Sequence, residues 1–236
     1  MKEINISVVL PVYNEAGNME KLIEEIRTAL QPTNYAFEIL CIDDGSSDNS
    51  AEIIQKLHLQ YEEVILIQHK KNFGQSAAQA TGFRYAKGEW IITLDADGQN
   101  NPEDMPKLLS LATDDIDCVC GVRKKRLDTW VRRMSSKIAN KVRNFLTGDK
   151  ISDAGCTFRV IRKSCLREIP VFNGMHRFIP TLLRWKGFHI TEVEIGHRDR
   201  TWGVSKYGIR NRAWRGLVDC IALRWWKSRC FIQERC

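Results

Sequence analysis

Strand-like and helix-like segments alternate through the first half of this 236-residue chain, and the alternation leaves few folds open. Short apolar, often β-branched runs predict strands at residues 6–10, 39–42, 64–68, 90–94 and 118–122. Amphipathic segments between them predict helices at residues 18–30, 48–59, 74–86 and 102–111. Asn101 before Pro102 is typical of a helix start, and Asn72 three residues before Gln75 indicates a capping box. These βαβ units predict an α/β fold with a mostly parallel central sheet flanked by helices.

Charge is divided unevenly along the chain. The formal net charge is +7, but residues 1–117 hold 9 Lys and Arg against 20 Asp and Glu, while residues 118–236 hold 27 against 9. The chain is therefore an acidic half of charge −11 joined to a basic half of charge +18. Hydrophobic residues make up 43% of the chain, which excludes a disordered protein. The uneven charge suggests either two different ligands or one charged surface that only the basic half meets.

Eight cysteines could form a disulfide set, but the chain is long for a small disulfide-stabilised domain. The N-terminus lacks the pattern of a signal peptide, and no CxxC or Cys/His pair has the spacing of a zinc site. We expect reduced thiols that are mostly buried, in a cytoplasmic protein. No stretch approaches the roughly 18 consecutive apolar residues of a membrane span, so membrane contact is expected only at the surface.

Polar residues collect in the loops that follow three of the predicted strands. These loops are residues 11–15 (PVYNE), 43–48 (DDGSSD) and 95–99 (DADGQ). In a parallel sheet, ligands bind outside the carboxyl ends of the strands, so the three acidic loops should converge on one edge. A tyrosine ring near carboxylates suits a nucleoside, while the chain lacks GxGxxG after a strand and lacks a P-loop.

Asp95 and Asp97 lie two residues apart after an apolar strand, so an extended backbone points both carboxylates to the same side. Two carboxylates held that close repel each other unless a cation neutralises them. With the carbonyl oxygen of Gln99 they form an all-oxygen set that suits Mg²⁺ or Mn²⁺ rather than zinc. Taken alone, the same residues also fit a solvated Asp-rich turn before the helix that follows Asn101.

The combined motifs resemble family-2 glycosyltransferases with the GT-A fold, whose marks are a strand ending in PVYNE, a DDGSSD loop and a DxD motif. Three further segments are similar to the polyprenol-phosphate glycosyltransferase branch, which includes dolichol-phosphate mannose synthase and bacterial undecaprenyl-phosphate sugar transferases. These segments are residues 71–74 (KNFG), 152–159 (SDAGCTFR) and 197–207 (HRDRTWGVSKY). The resemblance covers nearly the whole chain.

The resemblance implies a role for individual residues on the donor side. It implies a nucleoside site formed by Pro11, Tyr13, Glu15, Ile42 and Asp44. It further implies a metal and diphosphate site formed by Asp95, Asp97 and Gln99, with Ala96 touching the nucleotide. The cofactor implied is Mg²⁺ or Mn²⁺.

On the acceptor side, the resemblance implies that the donor and acceptor phosphates are held by Arg123, Arg200 and Lys206. It places Asp153 near the reacting centre, as a base or as a positioning residue. A polyprenyl phosphate has a second pKa of about 6, so its oxygen is already largely anionic and needs little help from a base. The expected reaction is inverting attack of that phosphate on the anomeric carbon of a UDP- or GDP-sugar. His176 and Arg177 are left outside the catalytic set, with His176 expected to be structural.

The basic half predicts contact with an anionic membrane. Residues 128–146 predict a helix with Trp130, Val142, Phe145 and other apolar residues at helical spacing and basic residues elsewhere, which fits either core packing, a solvated basic face or an interfacial helix. The basic, Trp-containing tail adds cations for an anionic leaflet. We expect one integrated catalytic domain, with a nucleotide-sugar and metal half at residues 1–122 and an acceptor half at residues 123–236. It would lie on the cytoplasmic membrane face, held by the surface or by a separate membrane protein.

Two other functions remain open at this point. A family-2 enzyme acting on a saccharide or lipid-A-type acceptor would keep the donor site, but its neutral hydroxyl acceptor would require Asp153 as a true base. A basic module that binds nucleic acid would explain the charge of the second half. It would not explain three acidic loops at one sheet edge, so we expect no nucleic-acid partner.

Overall fold

A computed structural model of the chain describes residues 3–123, 140–199 and 209–229. Within these residues, one sheet of seven strands runs through the molecule in the order β3-β2-β1-β4-β6-β5-β7. All neighbouring strands are parallel except β6, which is antiparallel to both β4 and β5. The strands are β1 (Ile6–Val12), β2 (Phe37–Asp43), β3 (Val64–Gln68), β4 (Trp90–Thr93), β5 (Cys118–Arg123), β6 (Arg159–Arg162) and β7 (Ile190–Ile195).

Helices cover both faces of the sheet. They are α1 (Ala16–Leu30), α2 (Ser50–Gln60), α3 (Gln75–Tyr85), α4 (Met105–Leu109), α5 (residues 140–147), α6 (Lys163–Leu166), α7 (Ile179–Trp185) and α8 (Ile209–Arg229). Short 3₁₀ turns at Pro102–Asp104 and Met175–Arg177 precede α4 and α7. The predicted α/β architecture with a mostly parallel sheet is therefore confirmed.

The core lies in two layers because the central strands are buried on both faces. Val8 on β1 packs in one layer with residues of α1, α2 and α4, whereas its neighbour Val9 packs in the other with residues of α3, α6, α7 and α8. Val8 lies opposite Ile39 of β2 and Ile92 of β4, so this register continues the same layer across three strands. The alternation of side chains along each strand thus divides the apolar residues between two helical layers.

The structure corrects two predicted details of the helix starts. Helix α3 begins after Gly74 without a side-chain cap, so the capping box predicted from Asn72 is wrong. Residues 102–111 form a 3₁₀ turn and the short helix α4 rather than one helix, because Pro106 follows closely on Pro102. The predicted cap at Asn101 is confirmed, since its side chain accepts a hydrogen bond from the backbone N–H of Glu103 at 3.3 Å.

The cysteines of the described regions are buried thiols that form no disulfide, as expected: Cys41, Cys118, Cys120, Cys156, Cys165 and Cys220. Burial raises the pKa of the Cys41 thiol to about 12, and burial has the same effect at Cys156. Such thiols are unreactive near neutral pH. In the part of the chain that the structure describes, no helix is both long enough and apolar enough to cross a bilayer.

Candidate active site

Loops 11–15 and 43–48 are joined side by side at the carboxyl ends of β1 and β2. Asn14 has a positive φ of 53°, and its backbone N–H donates to Ser46 Oγ at 2.9 Å. The side-chain oxygen of Asn14 accepts a hydrogen bond from the backbone N–H of Ser47 at 2.8 Å. Asp48 accepts a further bond from the backbone of Ala16 at the start of α1. The two loops therefore form one rigid surface rather than two independent turns.

The predicted nucleoside residues lie on this surface at different depths. Pro11 and Tyr13 are partly exposed, so both can contact a ligand. Glu15 is buried and accepts a hydrogen bond from the Asn18 side chain at 2.8 Å. The side chain of Ile42 lies wholly within the core. The structure thus brings the predicted residues to one sheet edge and leaves the proline and the tyrosine as the surface that a ring could meet.

Asp44 is buried and connects its loop to the segment before α3. Its carboxylate accepts hydrogen bonds from the backbone N–H groups of Phe73 and Gly74 at 2.9 and 2.7 Å. The Nδ1 atom of His69 lies 2.8 Å from the same carboxylate. Gly45 has a φ of +69°, and a Cβ there would lie 2.6 Å from the backbone of Lys71. The two loops approach so closely because residue 45 has no side chain.

Residues 95–99, the predicted metal-binding loop and called the metal loop below, follow β4 as the sequence predicted. Burial raises the pKa of Asp95 to about 6, and the charge of Asp97 adds to this effect. Thr157, Arg123 and Arg159 act in the opposite direction. The described residues include no group of three or more His, Cys, Asp or Glu side chains with the arrangement of a metal site. Two repelling carboxylates with Gln99 beside them nevertheless fit a hard cation whose remaining ligands are substrate oxygens and water.

Arg123 and Asp153 form a bidentate ion pair. Arg123 Nε donates to one carboxylate oxygen at 2.7 Å, and Nη2 donates to the other at 2.9 Å. Both side chains are largely buried. Planar bidentate pairing of this kind fixes orientation as well as charge. The structure therefore holds Asp153 in one orientation and brings Arg123 within electrostatic reach of Asp95.

The segment that carries the predicted phosphate-binding cations begins next to the metal loop. The backbone N–H of Arg198 donates to the carbonyl of Gln99 at 2.9 Å, and its guanidinium binds Glu25 and Asn101. The predicted residues Arg200 and Lys206 lie outside the described residues.

Two residues that contribute to this region were not identified from the sequence as parts of the site. Arg159 on β6 is 1% exposed and donates to the carbonyls of Cys156 and His176 at 2.6 and 2.8 Å. Gln75 donates from its side-chain amide to Asp95 Oδ1 at 2.6 Å. The Arg159 contacts depend on β6 lying between β4 and β5, which no local motif indicates. The position of Gln75 directly after the KNFG segment was the available signal.

Helices α5 and α8 turn apolar side chains away from the core. On α5, Phe145 is 79% exposed and Val142 is also exposed, whereas Arg143 is buried and bonded to Asp149 and Thr181. The described end of the predicted 128–146 helix therefore neither packs its whole apolar stripe into the core nor presents a purely basic face. The earlier part of that helix, with Trp130, lies outside the described residues.

Helix α8 shows the same arrangement on a larger scale. Among the side chains that the structure describes on this helix, the large exposed apolar residues are Trp214, Val218, Ile221 and Trp225. At about 100° per residue, this spacing places all four within an arc of roughly 60°. Cys220 and Leu223 on the opposite side are buried in the core. Exposed arginines flank the stripe at positions 215, 224 and 229, and an ion pair of 3.1 Å between Asp219 and Arg177 anchors the helix.

Comparison with known proteins identifies the family. The model for "Glycosyl transferase family 2" matches residues 7–170, which include the three acidic loops, Arg123 and Asp153. The chain belongs to glycosyl transferase family 2. It is thus a glycosyltransferase, as the motifs indicated.

Similar proteins extend the comparison beyond the family match. The chain is 37% identical over 219 residues to an undecaprenyl-phosphate 4-deoxy-4-formamido-L-arabinose transferase of Aeromonas hydrophila, covering 92% of this chain and 67% of that protein. A Salmonella choleraesuis protein of the same name is 40% identical with the same coverage. The sequence matches thus extend over most of this chain, well beyond residue 170.

Solved structures support the fold. Mannosyl-3-phosphoglycerate synthase of Rubrobacter xylanophilus aligns with a TM-score of 0.70 at 17% identity, covering 98% of this chain and 77% of that one. Glucosyl-3-phosphoglycerate synthase of Mycobacterium tuberculosis, solved with Mg²⁺ and UDP, aligns with a TM-score of 0.69 at 17% identity, covering 94% and 79%. At these identities the likeness shows a shared fold, and the GT-A expectation is confirmed.

Proposed function

We propose that this glycosyltransferase moves a sugar from a UDP- or GDP-sugar to a polyprenyl phosphate at the cytoplasmic membrane surface, with inversion at the anomeric carbon. One observation carries the proposal: relatives named as undecaprenyl-phosphate sugar transferases match 92% of the chain. The match is long enough to include both the three acidic loops and much of the basic second half. The geometry supports it, since the same sheet carries the carboxylate pair and the two helices with outward apolar residues.

On the donor side, residues 1–122 would hold the nucleotide-sugar and the metal. Pro11 and Tyr13 would present the surface for the base, while Glu15, Ile42 and Asp44 would support it from beneath. Asp95, Asp97 and Gln99 would hold Mg²⁺ or Mn²⁺, with Ala96 against the nucleotide. When bound, the metal would neutralise the charge of the departing diphosphate. Solved structures of similar fold contain UDP with Mg²⁺ or Mn²⁺, which supports this assignment.

On the acceptor side, residues 123–236 would hold the lipid phosphate. Arg200 and Lys206 would contact phosphate oxygens, and Arg123 would add charge near the metal loop. Asp153 would act as a positioning residue, because both of its oxygens are engaged by Arg123. A phosphate monoester acceptor is already anionic near pH 7, so transfer does not require a protein base.

Helices α5 and α8 would bring the protein to the lipid. An apolar stripe containing two tryptophans and flanked by arginines is the pattern of a helix lying in a membrane interface. Each arginine near an anionic leaflet contributes about 1 kcal/mol, so α8 alone supplies enough attraction for reversible docking. The protein would then be peripheral, and a separate membrane protein would be needed only if the stripe did not bind lipid.

The transfer reaction can be tested with a defined acceptor. The protein would be incubated with Mn²⁺, undecaprenyl phosphate in phosphatidylglycerol vesicles, and a panel of labelled UDP- and GDP-sugars. We expect a labelled glycolipid from one donor, lost on addition of EDTA. Transfer only to saccharide or lipid-A-type acceptors would overturn the proposed acceptor.

Membrane docking has its own test. Sedimentation with phosphatidylglycerol vesicles should be weakened by Trp225→Ser and left unchanged by Tyr85→Ser, a control at an exposed aromatic residue on α3. Equal binding by both variants would remove α8 from the docking surface. Absence of any vesicle binding by the wild-type protein would favour a membrane-protein partner.

A further inference from the structure

Two neighbouring residues at the start of α3 contact different parts of the site. Gln75 reaches the metal loop, where its amide nitrogen donates to Asp95 Oδ1 at 2.6 Å. Ser76 faces the 3₁₀ turn Met175–Arg177, where its Oγ lies 2.8 Å from His176 Nδ1. The backbone just before them, at Phe73 and Gly74, is held by Asp44. The first residues of α3 are therefore tied to three separate loops.

The contact of Gln75 has a defined chemical direction. A carboxylate only accepts hydrogen bonds, so the amide NH₂ group, and not its oxygen, must face Asp95. The bond engages one oxygen of Asp95 and fixes the plane of a carboxylate that is repelled by Asp97. Side chains that orient metal ligands in this way commonly matter for affinity, and changing them costs roughly 10–100-fold.

The contact between Ser76 and His176 is partly buried, and further hydrogen bonds hold both residues. Ser76 is 3% exposed, and its Oγ also accepts a hydrogen bond from the backbone N–H of Gly174 at 3.0 Å. The carbonyl of His176 is itself held by the buried Arg159 at 2.8 Å. These bonds fix the position of the first turn of α3 relative to the 3₁₀ turn, and with it the point from which Gln75 reaches Asp95.

We propose that Gln75 is a positioning residue for the metal ligand Asp95, and that the partly buried Ser76–His176 hydrogen bond holds α3 where Gln75 can perform that role. The inference rests on the metal site of the proposed function, but not on the identity of the sugar or the acceptor. It assigns His176 a task that the sequence alone did not indicate.

The test is a titration of Mn²⁺ followed by electron paramagnetic resonance, in the presence of whichever of UDP or GDP gives the wild-type protein the tighter complex. Gln75→Met keeps the length of the side chain and removes the donor. We expect its dissociation constant for Mn²⁺ to rise roughly 10–100-fold with little change in melting temperature. Gln55→Met, on the exposed face of α2, is the matched control and should bind Mn²⁺ as the wild type does.

The role of His176 is tested by a pair of variants. His176→Asn keeps a polar atom near the position of Nδ1, whereas His176→Leu does not. We expect the asparagine variant to stay within about threefold of wild-type Mn²⁺ affinity and the leucine variant to lose about tenfold. In the double variant with Gln75→Met, the leucine change should add little, because its effect acts through the same contact.

Several results would overturn the proposal. Unchanged Mn²⁺ affinity in Gln75→Met would exclude the positioning role, as would a loss matched by the Gln55 control. Equal losses of Mn²⁺ affinity in both His176 variants would show that the Ser76–His176 hydrogen bond has no role in positioning Gln75. Failure of the wild type to bind Mn²⁺ with either nucleotide would overturn the metal site itself. Normal binding without transfer to lipid phosphate would instead overturn only the proposed acceptor.

Discussion

The proposed donor edge, formed by loops 11–15, 43–48 and 95–99, is built on buried and bonded charged groups, whereas helices α5 and α8 turn large apolar side chains outward. At the donor edge, charged groups are inside and bonded: Asp44 is 3% exposed and accepts two backbone hydrogen bonds. On α5, the arginine is inside while Phe145 is 79% exposed. Burying a charge is costly unless it is paired, and exposing a large apolar side chain gains nothing in water.

The difference indicates two environments for one domain. Loops cross-linked by side-chain hydrogen bonds are rigid and suit a small, highly charged ligand that must be held in one geometry. Helices with outward apolar stripes suit a surface that is itself apolar below its charged headgroups. The charges of −11 and +18 on the two halves agree with the proposed function, with carboxylates at the proposed cation site and arginines in the half proposed to meet phosphates.

The largest effect should come from the metal loop. Asp97→Ala should lower sugar transfer on the order of a thousandfold, because a metal at a departing diphosphate contributes several kcal/mol to catalysis. The control Asp114→Ala removes an aspartate whose side chain is fully exposed, and it should leave the transfer rate unchanged. Initial rates of glycolipid formation measure both. A fully active Asp97→Ala enzyme would remove this residue from the metal site.

Asp153→Asn should have the next largest effect, a loss of roughly 100-fold through misplacement of Arg123. The acid limb of the pH–rate profile should remain near pH 6 in the variant, because that limb belongs to the second pKa of the acceptor phosphate at about 6. An acid limb that disappears in the asparagine variant would show that Asp153 is the base after all.

Two glycine substitutions compare the regions directly. Gly45→Ala places a Cβ 2.6 Å from the Lys71 backbone, whereas Gly148 after α5 has nothing within 4 Å. Both glycines have positive φ, so backbone strain alone should lower the free energy of unfolding of each variant by about 1 kcal/mol. Gly45→Ala should lose about 1 kcal/mol more, because its Cβ would also press on the neighbouring loop. Urea denaturation measures the difference, and equal losses would contradict the tight joining of the donor loops.

The smallest effect on stability is expected on α5. Phe145→Ala should change the free energy of unfolding by less than about 0.5 kcal/mol, because the ring is already in solvent. Phe158→Ala, at a fully buried ring beside the metal loop, should cost about 4 kcal/mol. If vesicle binding is unaffected by Phe145→Ala, α5 is not part of the docking surface.

The sequence predicted β1–β5, α1–α3 and the region of α4 because each has a strong local pattern. It did not predict β6, a four-residue strand defined by distant pairing, as between Ile92 and Val160. Each of the three donor motifs is a short continuous run of residues, so each could be recognised in the sequence. The bond between Gln75 and Asp95 joins residues 20 apart, and Arg143 meets Thr181 across 38 positions. Contacts of this kind depend on the assembled sheet and are not visible in local spacing.

The most direct test is a comparison of two acceptors that differ only in the terminal phosphate group. Undecaprenyl phosphate and undecaprenol would be presented in the same vesicles, with Mn²⁺ and the nucleotide-sugar that the panel identifies as donor. We expect rapid transfer to the phosphate and none to the alcohol, because attack requires an oxygen that is already anionic and held by cations. Comparable transfer to undecaprenol would contradict it, since a neutral hydroxyl needs a base that the pairing of Asp153 with Arg123 does not provide.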